Sequence, residues 1–324
     1  MAHMISFANG RNEMAYRGEK PWHGLGQELT DGASIDEWRE QAGMNWTIRR
    51  SKVRYAASPT PALEDFRSVE DRHVLLRSDN LQHLSIVSDS FKIVQPSEVL
   101  EFFRDLTEAA GFKMETAGVL HQGRKFWALA RIGEESAIVG HDLVRAYLML
   151  ATSCDGSIKT SASNVATRLV CENTMRVAMG EKGNSKIQVS HRSVFNADAV
   201  KRQLGVCVPA FHRFVADMRE LAKRDVSPIE AERYMAGMVE VEDVEKAREV
   251  SAFGKMMALF NGQGIGSQLP GVRGTAWGLL NAVTEHVDHH ARARSQSNRL
   301  DSAWFGDGEE TKQRAHDAAM KLAA

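Results

Sequence analysis

Consecutive β-type segments joined by short turns fill the centre of the sequence, between residues 112 and 163. Their apolar residues alternate or run continuously, which is typical of strands. His121-Gln122-Gly123 separates the first two segments, and Asp155-Gly156 is a strong hairpin signal. The expected strands are 112–120, 124–132, 143–153 and 157–163, with a further strand over 187–194. The pattern predicts a central antiparallel β-meander.

Helical patterns replace the strands after Asn196. A long helix, interrupted or kinked near Pro209, is expected over 197–223. Ser227-Pro228-Ile229-Glu230 combines three residues that favour the start of another helix. Further helices are expected over 242–260 and 275–291, followed by an exposed helical tail. Earlier in the chain, Ser34 and Glu37 form a capping-box pattern.

This order of elements predicts an α+β fold, because strands and helices occupy separate parts of the chain. The expected architecture is a central antiparallel β-meander backed by a long helix, with a helical C-terminal region. A short helix is expected near Thr174, with Asn173 as its cap. The predicted regions are an N-terminal α/β region over 4–111, a β-rich core with the long helix over 112–224, and a helical C-terminal region over 225–324.

Composition excludes several classes of protein. A formal net charge of −1 excludes a uniformly basic coat for nucleic acid. No apolar run is long enough to span a membrane. The chain has three cysteines and no C-x-x-C pair, so we expect free thiols in a reducing cytoplasm. No phosphate-binding glycine motif is present, and no cofactor is expected.

Charge is segregated along the chain. The segment 159–202 holds eight basic and three acidic residues, whereas 225–249 holds eight acidic and three basic ones. A second basic run lies in the expected strand near residue 50; its members are Arg49, Arg50, Lys52 and Arg54. Such segregation permits a local basic groove in a neutral protein.

Aromatic residues lie among or near these basic strands, where they are candidates for stacking on nucleic-acid bases. They are Trp46, Tyr55, Phe126 and Trp127. A solvated charged face with aromatic residues in the core is the alternative interpretation of the same pattern.

A histidine cluster offers a different chemistry. His286, His289 and His290 have the spacing of neighbours on one helix, and Glu285 and Asp288 lie among them. His286 and His290 are one turn apart, so they are candidate ligands for a shared metal ion. This pattern leaves open a metal-dependent hydrolase or nuclease as an alternative function.

Four ordered sequence blocks resemble a known family. They are Pro21–Gly26, Ser88–Pro96, Arg168–Thr174 and Gly274–His286, and the resemblance spans roughly residues 15–290. The family is domain of unknown function 932 (DUF932), described as phage- or plasmid-like proteins. The resemblance implies a cytoplasmic protein of a mobile element and names no reaction.

Single-strand annealing proteins, which phages and plasmids often encode, supply an analogy at the level of the fold. Their small antiparallel sheet backed by a long helix is compatible with the order of elements here. We therefore expect a protein that binds single-stranded DNA and promotes homologous recombination by strand annealing, without covalent chemistry. It would act as a ring or filament of identical subunits. A mobile-element protein that binds a host factor is a further alternative.

The expected DNA-binding groove combines the two basic runs with one aromatic ring. Its candidate residues are Lys159, Arg168, Arg176, Arg192, Arg49, Arg50, Lys52, Arg54 and Trp127. The acidic helices over 225–249 are expected to meet the basic surface of a neighbouring subunit.

Overall fold

The computed structural model describes residues 5–8, 10–18, 25–60, 65–110, 112–168, 173–177, 186–203 and 207–324. These residues form a large sheet, a three-stranded sheet and a C-terminal group of helices. The predicted α+β class is confirmed, including the antiparallel meander and the helical C-terminal region.

The first elements are short. They are β1 (Phe7–Ala8), β2 (Arg11–Asn12), β3 (Met14–Arg17), β4 (Gln27–Leu29) and α1 (Ile35–Gln41). Both bonds of the predicted capping box are present at α1: Ser34 accepts from the Glu37 amide, and the Glu37 carboxylate accepts from the Ser34 amide. Local sequence therefore fixes the start of this helix.

A small antiparallel sheet and a helix follow. The elements are β5 (Ile48–Ala56), β6 (Phe66–Arg77), β7 (His83–Ser88) and α2 (Pro96–Ala110). β6 lies between β5 and β7. β6 and β7 form a hairpin around residue 80, and β6 begins eight residues before its apolar run, Val74-Leu75-Leu76, because β5 supplies a pairing partner there.

The meander forms the middle of an eight-stranded sheet. Its strands are β8 (Lys113–Leu120), β9 (Lys125–Ala137), β10 (Leu143–Ser153), β11 (Thr160–Arg168), β12 (Asn173–Val177) and β13 (Lys186–Val189). The strands from β8 to β12 pair in chain order, and β13 pairs with the first half of β11. β3 lies antiparallel to β8, and β4 lies parallel to β3.

Strands from the predicted first region thus complete the sheet of the second. The division of the chain into three regions remains a prediction.

The predicted short helix near Thr174 is wrong. Residues 173–177 form β12, and Asn173 pairs with Arg168 across the hairpin rather than capping a helix. The edge of β11 offers unpaired backbone groups at this point, and pairing with them outweighs a weak local preference for helix.

The C-terminal half of the chain is helical. Its helices are α3 (Ala197–Gln203), α4 (Cys207–Lys223), α5 (Pro228–Met238), α6 (Val244–Ala247), α7 (Ser251–Ala258), α8 (Ala276–Glu285), α9 (Gln296–Phe305) and α10 (Asp307–Ala323). The capping box at Ser227 is confirmed. Within the range predicted as one long, interrupted helix, 197–223, the described residues form α3 and α4, and Pro209 lies in the first turn of α4.

Helices cover both faces of the meander. On one face α2 and α4 pack against β9, and Phe126 and Leu148 belong to the main core. On the other face Trp304 of α9 lies edge-on against Trp127, with ring centroids 5.4 Å apart. The tail is therefore packed rather than exposed as predicted, since burying its apolar face stabilises it. Among the described residues, no helix is long and apolar enough to cross a membrane.

Candidate nucleic-acid interface

β5 and β6 form a pair of strands that carries a dense set of cations. β7 pairs with the inner half of β6 only, so the outer half of this pair is a two-stranded ribbon. Arg49 pairs with Leu76, and Arg54 pairs with Ser68 beyond a bulge in β6. β5 contains no acidic residue, and its four cations are Arg49, Arg50, Lys52 and Arg54. All four are exposed, and none forms an ion pair with a described residue. We call residues 48–56 and 66–77 the basic ribbon.

The outer half of the basic ribbon has no buried face. Tyr55 is 52% exposed and Phe66 is 43% exposed, at neighbouring positions of the two strands. A two-stranded ribbon with both faces in water gains little from hydrophobic burial. Exposed rings among cations are candidates for stacking on nucleic-acid bases.

Residues of the Ser88–Pro96 block anchor the inner end of the ribbon. The Gln95 side chain accepts from the Ile48 amide at 2.7 Å and donates to the Ile48 carbonyl at 3.2 Å. The Arg50 guanidinium donates to the carbonyl oxygen of Phe91. The ribbon is therefore held by polar contacts to the segment that precedes α2.

The same segment joins the ribbon to two loops of the meander. The Phe91 ring stacks on His191 with centroids 4.5 Å apart, and His191 Nε2 lies 2.8 Å from the Ile158 carbonyl oxygen. Lys159 follows Ile158, and Arg192 follows His191. These contacts bring cations of distant sequence segments to the base of the ribbon.

We call this group the basic junction. Its members are Arg50, Lys92, Lys159 and Arg192. Each is exposed, and none forms an ion pair with another described residue. Each member makes the contacts of Phe91 and His191 or follows a residue that does, so the junction lies beside the base of the ribbon. An uncompensated set of cations of this kind attracts a polyanion.

A second polar cluster lies in the core, away from solvent. Arg168 Nε donates to Asp142 Oδ1 at 2.6 Å, and Trp277 Nε1 donates to Asp142 Oδ2 at 2.8 Å. The Arg168 guanidinium also donates to the carbonyl oxygens of Ile265 and Gly266. The cluster therefore joins Arg168 of one sequence block to Trp277 of another and to the loop at residues 265–266.

A third cluster fastens the N-terminal segment to the small sheet. The buried Arg77 donates to both carboxylate oxygens of Glu13, at 2.6 and 3.0 Å, and to Asp79. Burial opposes the charge of Arg77, but the bonds to Glu13 and Asp79 outweigh burial and raise its pKa. Gly43 has a φ of 69°, and a Cβ there would lie 2.5 Å from the Glu13 side chain. No sequence signal pointed to this cluster.

Comparison with known proteins identifies a family. The sequence profile described as domain of unknown function DUF932 matches residues 83–304. The chain belongs to the DUF932 family. No curated protein and no solved structure matches the chain. In this DUF932 protein the matched range contains Lys92, Lys159 and Arg192, whereas β5 and β6 precede it.

The structure corrects two predicted DNA-binding residues of the DUF932 protein. Arg168 is 2% exposed and its guanidinium is paired with Asp142, so it does not face a phosphate backbone. Trp127 is 1% exposed beneath α9, so it cannot stack on a base. Both residues lie on strands whose two faces are covered by helices, a condition that strand patterns alone do not reveal.

Trp46 and Phe126 are also buried, as the alternative interpretation of the aromatic residues expects, whereas Tyr55 is exposed. Arg176 lies on β12, and its side chain falls outside the described part of the structure. His23 of the Pro21–Gly26 block and Cys171 of the Arg168–Thr174 block lie outside the described residues as well.

The histidine cluster does not form a metal centre in the described part of the chain. No group of three or more His, Cys, Asp or Glu side chains there is placed to hold a metal ion. His290 Nε2 lies 3.5 Å from Glu285 Oε1, while Glu285 accepts from the Ile265 amide at 3.0 Å. Asp288 is instead bonded to Lys312 at 2.8 Å. Hydrogen bonds of the core occupy the carboxylates that a metal ion would need.

His286 makes the stability of the DUF932 protein depend on pH. Burial, together with the positive charges of His290 and Lys255, lowers the pKa of His286 to about 4. Because the unfolded chain binds this proton with a pKa near 6.5, the free energy of unfolding falls as pH drops from about 6.5 to about 4. We expect this group to contribute about 2 kcal/mol to that fall, after allowance for partial exposure.

Urea unfolding of wild type and His286→Gln at intervals across this range measures the contribution. The variant should lose less stability than wild type between pH 6.5 and 4.5. Parallel pH curves for the two proteins would contradict the assignment.

Proposed function

We propose that this DUF932 protein binds single-stranded DNA and promotes the annealing of complementary strands. The observation that supports this proposal is the basic ribbon. It has four exposed cations that form no ion pair with a described residue, and both faces of its outer half are in water. The basic junction extends the same charge onto the meander. The proposed class is a phage- or plasmid-type recombination protein.

The mechanism needs no covalent step. Cations of the ribbon and junction neutralise phosphates, and release of counterions from the strand drives association. Tyr55 and Phe66 stack on bases of any identity, because every base has an aromatic face. A strand held by its backbone and by a few stacked bases leaves its other bases free to test pairing with a second strand.

Annealing over a useful length requires several subunits side by side. The surface that includes α6 supplies a complementary charge, with exposed acidic residues between 225 and 249. Glu242 and Glu249 form no ion pair with a described residue. We propose that this acidic surface meets the basic surface of the next subunit, a head-to-tail contact that closes a ring or extends a filament.

The direct test is the salt dependence of binding to an oligothymidylate, measured by fluorescence anisotropy. Each neutralised phosphate contributes about −0.7 to the slope of log affinity against log salt. Lys159→Ala combined with Arg192→Ala should therefore make the slope shallower by about 1.4. An unchanged slope would remove the junction from the proposed surface.

Arg294→Ala combined with Lys321→Ala is the matched control. It removes the same charge from exposed positions of the C-terminal region and should leave the slope unchanged. Annealing itself is followed by quenching between labelled complementary strands, and assembly by native mass measurement with and without the oligothymidylate. Binding to single-stranded DNA without faster annealing would contradict the annealing function and indicate that the protein only protects single strands.

A further inference from the structure

A half-open cavity of about 380 Å³ lies among the C-terminal helices, away from the basic ribbon. Its walls come from the end of α5, the start of α7, the turn after α8, and the facing ends of α9 and α10. This volume falls at the lower end of the range typical of small-molecule sites. Nothing in the proposed DNA-binding function uses it.

The floor of the cavity is apolar. Met238, Met256 and Val287 are buried side chains, and Val239 and Val250 add partly buried surface. Such a floor favours binding of the apolar body of a ligand, because few polar groups have to be stripped of water there. It gives the cavity an interior distinct from its polar rim.

One polar atom of the wall has no hydrogen-bond partner. His286 Nδ1 is shielded from solvent, and no described group donates to it or accepts from it. A buried polar atom without a partner is destabilising, so a ligand group that reaches the imidazole gains a hydrogen bond that the free protein lacks. The imidazole is neutral near pH 7, so it can serve either as donor or as acceptor.

The rim carries an excess of positive charge. Arg292 is exposed and forms no ion pair with a described residue, and Arg299 lines the same opening. Asp307 is the one acidic lining residue. Two cations against one carboxylate match a ligand with a single negative charge better than a dianionic phosphate.

We propose that this cavity binds a small amphipathic monoanion, a molecule with an apolar body and one carboxylate or sulfonate. The body lies on the methionine and valine floor. The anionic group lies at the rim beside Arg292, and a polar group of the body bonds to His286.

The experiment uses 8-anilinonaphthalene-1-sulfonate, an apolar fluorophore with one sulfonate, titrated into the full chain. We expect saturable binding, and about five-fold weaker binding for Arg292→Gln, because one charge-assisted contact is lost at an exposed rim. Arg294→Gln removes an equal charge two residues away, outside the cavity, and should bind like wild type. The uncharged probe N-phenyl-1-naphthylamine should bind Arg292→Gln and wild type with equal affinity.

Ala293→Trp tests occupancy of the cavity itself. A large ring at this lining position fills the space, so saturable binding of both probes should disappear while the unfolding midpoint stays near that of wild type. Retained binding in Ala293→Trp would place the probe elsewhere and overturn the proposal. Equal affinity of wild type and Arg292→Gln for 8-anilinonaphthalene-1-sulfonate would overturn the proposal that the ligand is an anion. This comparison does not depend on whether Ala293→Trp folds.

Discussion

Replacing Asp142 by alanine is expected to lower the free energy of unfolding by about 3–5 kcal/mol, enough to unfold many proteins of ordinary stability. The substitution leaves the Arg168 guanidinium charged in the core without its carboxylate. It also removes the acceptor of Trp277 Nε1, a second buried polar group. Chemical denaturation followed by tryptophan fluorescence measures the loss.

Two further variants separate the buried pair from ion pairs in general. Arg248→Ala breaks exposed pairs to Glu232 and Glu245 and should lower the free energy of unfolding far less than Asp142→Ala does, because water and salt screen exposed charges. Asp142→Leu combined with Arg168→Met removes both buried charges and should recover much of the stability that Asp142→Ala loses. A double variant as unstable as the single one would show that the hydrogen bonds to the loop, rather than charge balance, dominate.

The buried pair also shows where sequence reasoning ends. Arg168 has the features of a phosphate ligand in the sequence, since it lies in a basic segment at the end of a strand. Its role is decided by Asp142, 26 residues earlier, and by the loop at 265–266, about a hundred residues later. Only the paired strands and packed helices bring these groups together, so no local pattern distinguishes a buried arginine from an exposed one.

Elements that local chemistry controls were predictable. The capping boxes at Ser34 and Ser227 specify α1 and α5, because both of their hydrogen bonds lie within four residues. Asn173 failed as a cap, because an open strand edge offered more backbone bonds than one helical turn. Trp127 failed as a stacking residue, because α9 returns from the end of the chain to cover the sheet.

The four cations of β5 are a different case, because each is exposed in the folded protein, including the three that lie where β7 also pairs with β6. In the outer half of the ribbon neither face is buried, so a side chain there is exposed whichever face of the ribbon it points to. The positive charge visible in the sequence is therefore also present on the surface. What the sequence did not show is the link through Phe91 and His191 that places Lys159 and Arg192 at the ribbon base.

Neutralising the ribbon is expected to weaken binding to an oligothymidylate by about two to three orders of magnitude near 0.1 M salt. The variant replaces four cations with glutamine: Arg49→Gln, Arg50→Gln, Lys52→Gln and Arg54→Gln. If each cation neutralises one phosphate, the salt slope should become shallower by about 2.8, and the loss of affinity follows from that slope. Anisotropy titrations at several salt concentrations give both quantities.

A conservative variant at three of these positions separates a loss of charge from a loss of folding as the cause of weaker binding. Arg49→Lys, Arg50→Lys and Arg54→Lys together keep the charge and lose only the forked geometry of the guanidinium, so most of the affinity and the slope should remain. Both variants should unfold within about 1 kcal/mol of wild type, because the replaced side chains are exposed and unpaired with carboxylates, and the bond of Arg50 to the Phe91 carbonyl, which Arg50→Gln loses, is exposed to water. A glutamine variant that folds normally and binds as tightly as wild type would show that the ribbon does not contact DNA, and the proposed function would lose the observation on which it rests.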